Sequence, residues 1–550
     1  MNSPPASSPS SLASSSSATQ RGIRAAALLL AASSLLSRIL GYGRDWLIAY
    51  EFGATGQTDV YQASFTLPDL INYLLAGGAL SVSLLPRMAE LYARVDADPA
   101  DPQRRLEADR AFSLVGSAML VAASVAVGLA WLLAEPVVAQ LFPGFSPEKV
   151  QQTAHLTRIV LPAQLFFLLG GLVQAALLAR QRFRAMALTP LLYNGGIIVG
   201  GLIGGQSGQI EGFSWGALVG ALLGGLLVPV LSARHLLHFR FEFRPLDPEI
   251  RRFLWVAAPL MIGVSLTTVD EWLVKYYAST LQAGSISWLM TARRVMLVPI
   301  GLLGTAAGQA AGTYLARLHA EGRREELAKT LADSLAAVIG LSLVFTAALL
   351  PLAEPVVAFL FQYGNFSPVD TQATAAALLP LAIGIAAWGA QQVMARAFYA
   401  TGDTWRPMIA TTAVTLAMLP VYAAFARWPG REIAGLCIAG TLGISLQVAV
   451  MAVLARKRLG LDLHTLAQGA GRALLVALLA GSATWSAQRW AGQPLAAWLA
   501  ELQLPPVVVR GGSLAVVGGV WLAVLLVAGG LVGMPGMPRR LVGLARRLRR

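Results

Sequence analysis

Apolar runs of about 20 residues follow one another along most of the chain, separated by short polar or basic stretches. About fourteen such runs are long enough to cross a bilayer. They centre near Ala32, Leu74, Val121, Phe166, Gly195, Leu222, Met261, Pro299, Leu341, Ile383, Thr412, Leu442, Leu475 and Val520. The bilayer core offers no water to backbone N–H and C=O groups, so each run is predicted to be a helix. The pattern predicts an all-α membrane protein with about 14 transmembrane helices. Before the first run, MNSPPASSPSSLASSSSATQRG has no apolar period, and its Ser/Pro/Ala richness predicts a disordered tail over 1–22.

Composition supports this reading. The 550 residues are 56% hydrophobic and 13% charged, with a mean hydropathy of +0.62, whereas soluble domains carry roughly a quarter charged residues. The formal net charge is +14. Its placement matters more than its size. Basic residues collect in alternate loops: Arg87 to Arg110, Arg180 to Arg184, Arg234 to Arg252, Arg317 to Lys329, Arg456 to Arg458, and the C-terminal RRLVGLARRLRR. Roughly 30 of the 42 cationic residues fall on this side and about five on the other, which makes it cytoplasmic by the positive-inside rule. Both termini are then cytoplasmic, as an even span count requires. Topology and attraction to anionic membrane lipids account for the basic excess, and nucleic-acid binding is not needed to explain it. The lone Cys437 can form no internal disulfide, and five scattered histidines make no metal cluster.

An internal repeat organises the spans. EPVVAQLF (135–142) returns as EPVVAFLF (354–361), and PGFSP (143–147) as GNFSP (364–368). The offset of 221 persists to Ala179/Ala400, and upstream RDWLIAY (44–50) resembles DEWLVKY (270–276). The expected organisation is an N-lobe of spans 1–6 (23–240), a C-lobe of spans 7–12 (241–458), and spans 13–14 with a basic tail (459–550). Six spans is an even number, so the lobes are expected to be related by a pseudo-two-fold axis along the membrane normal. Parallel repeats of this kind place a substrate site at the midplane and work by alternating access. Pro136 and Pro355, in the repeated EPVV, are expected to break spans or interfacial helices.

Some charges interrupt the apolar pattern. SRILGYGRDW (37–46) puts Arg38 and Arg44 inside the first span. Charge at such depth costs a few kcal/mol on insertion scales and normally faces protein interior or water. Ser37, Gly41 and Arg44 share one helix face, and Arg38 and Asp45 a neighbouring one. Gly41 and Gly43 would let the helix bend, and Pro68 and Pro299 invite kinks in spans 2 and 8. The second copy supplies Lys275, Arg293 and Arg294, with acids at Asp59, Asp69, Asp270 and Glu271. Arginine forks suit phosphate oxygens, so a phosphate- or pyrophosphate-bearing substrate is expected, with interhelical ion pairing as the alternative.

SRILGYGRDWLIAYEFGATGQTDVYQASFTLPDLINYLLAGGALS (37–81), GSISWLMTARRVMLVPIGLLG, LFQYGNFSPVDT and FYATGDTWRPM together resemble segments of the MurJ/MviN family, the lipid II flippases. The resemblance runs from about Ala25 to Arg458. It implies the fold of the multidrug/oligosaccharidyl-lipid/polysaccharide exporter superfamily, with two lobes around a cationic cavity and a groove for the prenyl tail at spans 13 and 14. It implies transport of undecaprenyl-pyrophosphate-linked disaccharide-pentapeptide, lipid II, from the inner to the outer leaflet of the bacterial cytoplasmic membrane. It assigns Ser37, Arg38, Gly41, Arg44, Asp59 and Arg294 to family motif positions. The family's paired span-2 arginines are Asn72 and Tyr73 here, and the acid before the span-8 arginine is Arg293. Arg293 is therefore a candidate replacement cation, and Asn72 a candidate polar contact.

The expected protein is a transporter and not an enzyme, without cofactor or metal, probing no nucleic acid, and working as a monomer among membrane lipids. No G-x-x-x-x-G-K-[ST] phosphate loop is present to couple ATP. A bound Na⁺ is expected to use Asp270 or Glu271 if it uses any acid. The competing readings are a flippase for another polyprenyl-linked oligosaccharide and a non-transporting membrane scaffold. A drug antiporter would want acidic cavity walls, and a prenyl-pyrophosphate enzyme would want paired carboxylates for Mg²⁺.

Overall fold

The computed structural model describes the backbone of residues 9–76, 84–205, 207–262 and 266–535. The all-α class holds: these residues form helices and no strands. In chain order the helices are α1 (Pro9–Phe52), α2 (Gly56–Ser64), α3 (Thr66–Ala76), α4 (Leu85–Ala97), α5 (Pro102–Leu132), α6 (Ala134–Leu141), α7 (Pro147–Val160) and α8 (Ala163–Ala179). Next come α9 (Arg184–Gly205), α10 (Glu211–Gly220), α11 (Val228–Ala233), α12 (Pro248–Ile262), α13 (Leu266–Ala278), α14 (Ser285–Pro299) and α15 (Ala306–Ala320). The remainder are α16 (Arg324–Phe361), α17 (Pro368–Ala400), α18 (Trp405–Phe425), α19 (Glu432–Leu459), α20 (Leu463–Ala487), α21 (Gln493–Glu501) and α22 (Pro506–Val532). Short π-helical segments follow α10, α14 and α20.

Among the described residues, 11 helical stretches are long and apolar enough to span a membrane. They coincide with 11 of the expected runs. The run around Ala32 lies within α1, and those around Leu74 and Met261 continue into residues 77–83 and 263–265, outside the described residues. Helix α1 begins at Pro9, inside the stretch expected to lack structure. Alanine is the best helix former and serine only mildly unfavourable, so a helix nucleated further on extends back through them at small cost.

The repeat is visible at helix starts. Phe-Ser-Pro precedes α7 and α17 alike, with Pro147 and Pro368 at the first helical position. At α17, Ser367 and Asp370 form a reciprocal capping box. The prolines of EPVV diverge. The first copy breaks at Leu133, and Pro136 lies in the first turn of α6. In the second copy α16 runs unbroken for 38 residues through Pro351 and Pro355, so Pro355 does not end a span. Neighbouring helices tolerate the lost backbone bond within a membrane bundle.

The chain divides into two compact units. The first comprises residues 1–51, 64–139 and 148–262; the second comprises 52–63, 140–147 and 263–550. Two short segments of the first sequence copy thus belong to the second unit. The first unit runs on to residue 262, and within it the segment after α11 is tied to α5. Ser113 and Ser117 hydroxyls accept the backbone N–H groups of Arg240 and Glu242 at 3.1 and 2.9 Å. His238 pairs with Asp109, and Phe239 meets Phe112 edge-on.

Within the first unit, Met88, Leu91, Phe112, Leu168 and Leu172 bring α4, α5 and α8 together. Helices α9 and α10 approach backbone to backbone: a Cβ at Gly200 would lie 2.3 Å from the Gly212 carbonyl oxygen, and one at Gly216 2.3 Å from that of Gly196. Membrane helices gain no hydrophobic drive from one another, so small residues supply the contact. In the second unit, Leu331, Leu335, Val393, Phe398 and Met451 join α16, α17 and α19. Val344, Val476, Ala480 and Leu525 pack the two additional spans, α20 and α22, against α16.

Candidate functional site

The first unit holds the deep arginines of α1. Asn194, at 9% exposure inside α9, meets the i, i+4, i+7 face read from the sequence. Its amide nitrogen donates to Ser37 Oγ at 3.3 Å, and its carbonyl oxygen accepts from Arg44 Nη1 at 3.3 Å. Gly41 lies between them, where a Cβ would come 3.9 Å from Asn194 Oδ1. Arg44 also pairs with buried Asp45 at 2.9 Å. Arg38, on the neighbouring face, is exposed and has no ion pair among the described residues. The helix stays regular through Gly41 and Gly43 and does not break at either expected hinge. Gly41 admits the Asn194 amide instead.

Pro68 sits in the first turn of α3, where proline is tolerated. It has no N–H to offer the Ser64 carbonyl, which instead accepts the Thr157 hydroxyl at 3.1 Å. The chain turns at Phe65, three residues earlier. Asn72 donates to Gln164 at 2.9 Å.

The second unit contains a buried charge network centred on α13 and α14. Asp270, 2% exposed, accepts from Arg293, 8% exposed, and from the Tyr422 hydroxyl. The Arg293 guanidinium lies 5.1 Å from the Trp388 ring centroid. A Cβ at Gly440 would approach Asp270 Oδ1 to 2.6 Å, so α19 closes the far side. Glu271 pairs with buried Lys275 at 2.8 Å. Both acids considered for a Na⁺ site are therefore engaged by cationic side chains. Arg293, considered a replacement cation for substrate, is buried against a carboxylate and an indole. Its neighbour Arg294 is half-buried and donates Nη2 to Gln62 Oε1 at 3.0 Å. Pro299 ends α14, and Ile300–Thr305 continues as π-helix, so the backbone changes register at this expected hinge.

Asp59 is a helix cap. Its carboxylate accepts the backbone N–H groups of Gly284 and Ser287 at 2.6 and 2.9 Å, and the Ser287 hydroxyl at 2.9 Å. Asp59 thereby satisfies the otherwise orphaned first turn of α14, at the end where the helix dipole favours a negative charge. One turn along, Trp288 donates to Asp370 at 2.8 Å. The sequence carried no signal for Tyr422 or Trp388, which read as ordinary apolar packing. Gln62 and Gln164 were visible only as isolated polar residues. Among the described residues, no group of three His, Cys, Asp or Glu side chains could hold a metal ion.

A helical protein with 11 stretches long and apolar enough to span a membrane, and with charged side chains buried between its helices, has the build of a polytopic membrane transporter. The comparisons narrow the class. The family described as "Lipid II flippase MurJ" matches residues 48–499, and the chain belongs to that family. The "Probable lipid II flippase MurJ" of Buchnera aphidicola subsp. Acyrthosiphon pisum is 29% identical over 388 residues, covering 69% of this chain and 73% of the relative. The solved structure "Lipid II flippase MurJ, inward closed conformation" has a similar fold, with a TM-score of 0.70 at 20% identity over 90% of this chain and 98% of that one. An inward-facing multidrug resistance MATE family transporter of the MOP superfamily follows with a TM-score of 0.62, at 16% identity over 77% and 94%. Both structures share the helical fold of this chain.

Proposed function

We propose that this chain carries lipid II from the inner to the outer leaflet of the bacterial cytoplasmic membrane by alternating access. The family match over residues 48–499 carries the reading, and the deep arginines give it a chemistry. Lipid II bears a diphosphate that hydrocarbon cannot solvate, and unpaired polar groups are costly there. The family motif positions Arg38, Arg44 and Arg294 are assigned to that diphosphate, with Ser37 and Asn72 assigned to the head group. Asn194 and Gln62 orient two of these guanidiniums, which limits the conformational entropy lost on binding. Arg293 and Asp59 are assigned to holding α14. No bond is broken in such a cycle, so the chain acts as a transporter. The reading places both termini in the cytoplasm and takes a monomer as the working unit.

A flippase for another polyprenyl-linked oligosaccharide is the second reading. It is favoured by Asn72 and Tyr73 standing where the family's paired arginines are expected, with Asn72 already bonded to Gln164. Complementation separates the readings. A host depleted of its own lipid II flippase is given this chain, and precursor exposure on the outer face is followed. Restored exposure is expected, and Arg38→Ala and Arg294→Ala should abolish it while inserting normally. Failure of the well-inserted parent chain would favour the second reading. Full activity of both arginine variants would overturn the assigned chemistry.

A further inference from the structure

Three basic loops of the second unit converge on one cavity. It has a volume of about 530 Å³ and lies where α15, α17 and α19 end and α16 and α18 begin. Arg324, Arg406, Arg458 and His319 line it, each from a different helix. Its apolar side is formed by Leu327, Phe398 and Leu459, among others. The N-cap of α16 makes no side-chain capping bond, so its N-terminus adds partial positive charge, whereas the first turn of α18 is met by Asp403, whose carboxylate accepts the Arg406 N–H at 3.2 Å.

The pairing of the cations singles this cavity out. Nearby Arg317 and Arg323 are closed into a network with Glu321 and Glu326, at 2.7, 2.8 and 2.5 Å. Hydrogen bonds from Arg317, then Arg323, hold the Glu321 carboxyl below its usual range. The cavity has two carboxylates, Glu325 and Asp403, and Asp403 is taken by Arg406 at 2.5 Å. Arg324 and Arg458 make no ion pair or side-chain hydrogen bond among the described residues. The cavity carries three guanidinium groups against two carboxylates, and two of them, Arg324 and Arg458, stand outside any ion pair above an apolar side, which is the chemistry of a site for a phosphodiester carrying an alkyl body. All these loops belong to the basic face read as cytoplasmic, where anionic lipid head groups lie.

The first sequence copy has a turn and a cavity at the corresponding place. Gln181 and Gly402 are related by the 221-residue offset, and both have positive φ, 55° and 76°. The turn at Gln181 borders its own cavity of about 710 Å³, lined by Arg182 and Arg184.

We propose that the cavity at Arg324 and Arg458 is a binding site for the head group of an anionic glycerophospholipid, separate from the transport path. The test uses the full chain reconstituted in phosphatidylcholine nanodiscs with stepwise addition of phosphatidylglycerol. Retained lipid is counted by native mass spectrometry, and thermal stability is followed in parallel. Preferential retention of phosphatidylglycerol is expected, with apparent affinity falling on the order of tenfold in Arg324→Ala/Arg458→Ala. Arg317→Ala/Arg323→Ala removes the same charge from the already paired network and should retain lipid as the parent does. Equal retention of the two lipids by the parent, or an equal loss in both double variants, would overturn the proposal. So would stabilisation by inorganic phosphate alone to the same extent as by phosphatidylglycerol.

Discussion

The two adjacent arginines of α14 are predicted to do different work, and Arg293 gives the sharper test. It and Asp270 are 8% and 2% exposed. Deleting one partner of such a buried pair costs about 3–5 kcal/mol, mostly because the survivor keeps its charge without a counter-charge. The singles are not equivalent. In Arg293→Met, Asp270 still accepts the Tyr422 hydroxyl. In Asp270→Ala, both Arg293 and Tyr422 lose their acceptor, which adds about 1–3 kcal/mol. Asp270→Ala should therefore be the less stable protein. The double variant Asp270→Asn/Arg293→Met leaves no unpaired charge and should recover most of the loss. Thermal unfolding of the full chain in detergent micelles reads stability, and complementation of a flippase-depleted host reads function. A melting temperature lowered by several degrees is expected for Arg293→Met, with activity falling only as folded protein falls. A well-folded Arg293→Met chain that fails to complement would refute the assignment, because Arg293 would then meet the substrate. So would a double variant as unstable as either single.

Asp59→Ala leaves two buried backbone N–H groups at the start of α14 unsatisfied and should cost about 2–5 kcal/mol, seen as lowered thermal stability. Asn194→Leu removes the bridge between Ser37 and Arg44; stability should fall by about 1 kcal/mol, with a larger proportional loss of complementation. Gly200→Leu drives a side chain into the Gly212 carbonyl and should abolish accumulation of folded protein, measured by its yield after detergent extraction.

The spans were legible because a lipid solvent imposes both length and continuous apolarity on them. The shared face of Ser37, Gly41 and Arg44 was legible because helical periodicity alone places those positions together. What the sequence could not show was which neighbour each polar residue would meet. Arg293 and Arg294 are adjacent and chemically identical, yet a rotation of one residue along α14 sends the first to Asp270 and the second to Gln62. Asp59 stood out through the family motif, and a motif position does not say whether its carboxylate also serves a helix terminus. The attachment of the segment after α11 to α5 was not legible, because Ser113 and Ser117 carry no sequence mark of the backbone they receive.

The glycine contact between α9 and α10 has a consequence for biosynthesis. The two helices are joined by a short connection, and the close backbone approach of Gly196, Gly200, Gly212 and Gly216 lies within this pair. They can leave the translocon as a finished hairpin before any later span has been made. A bulky residue there would act during synthesis, by presenting the insertion machinery with two separate segments in place of one closed pair.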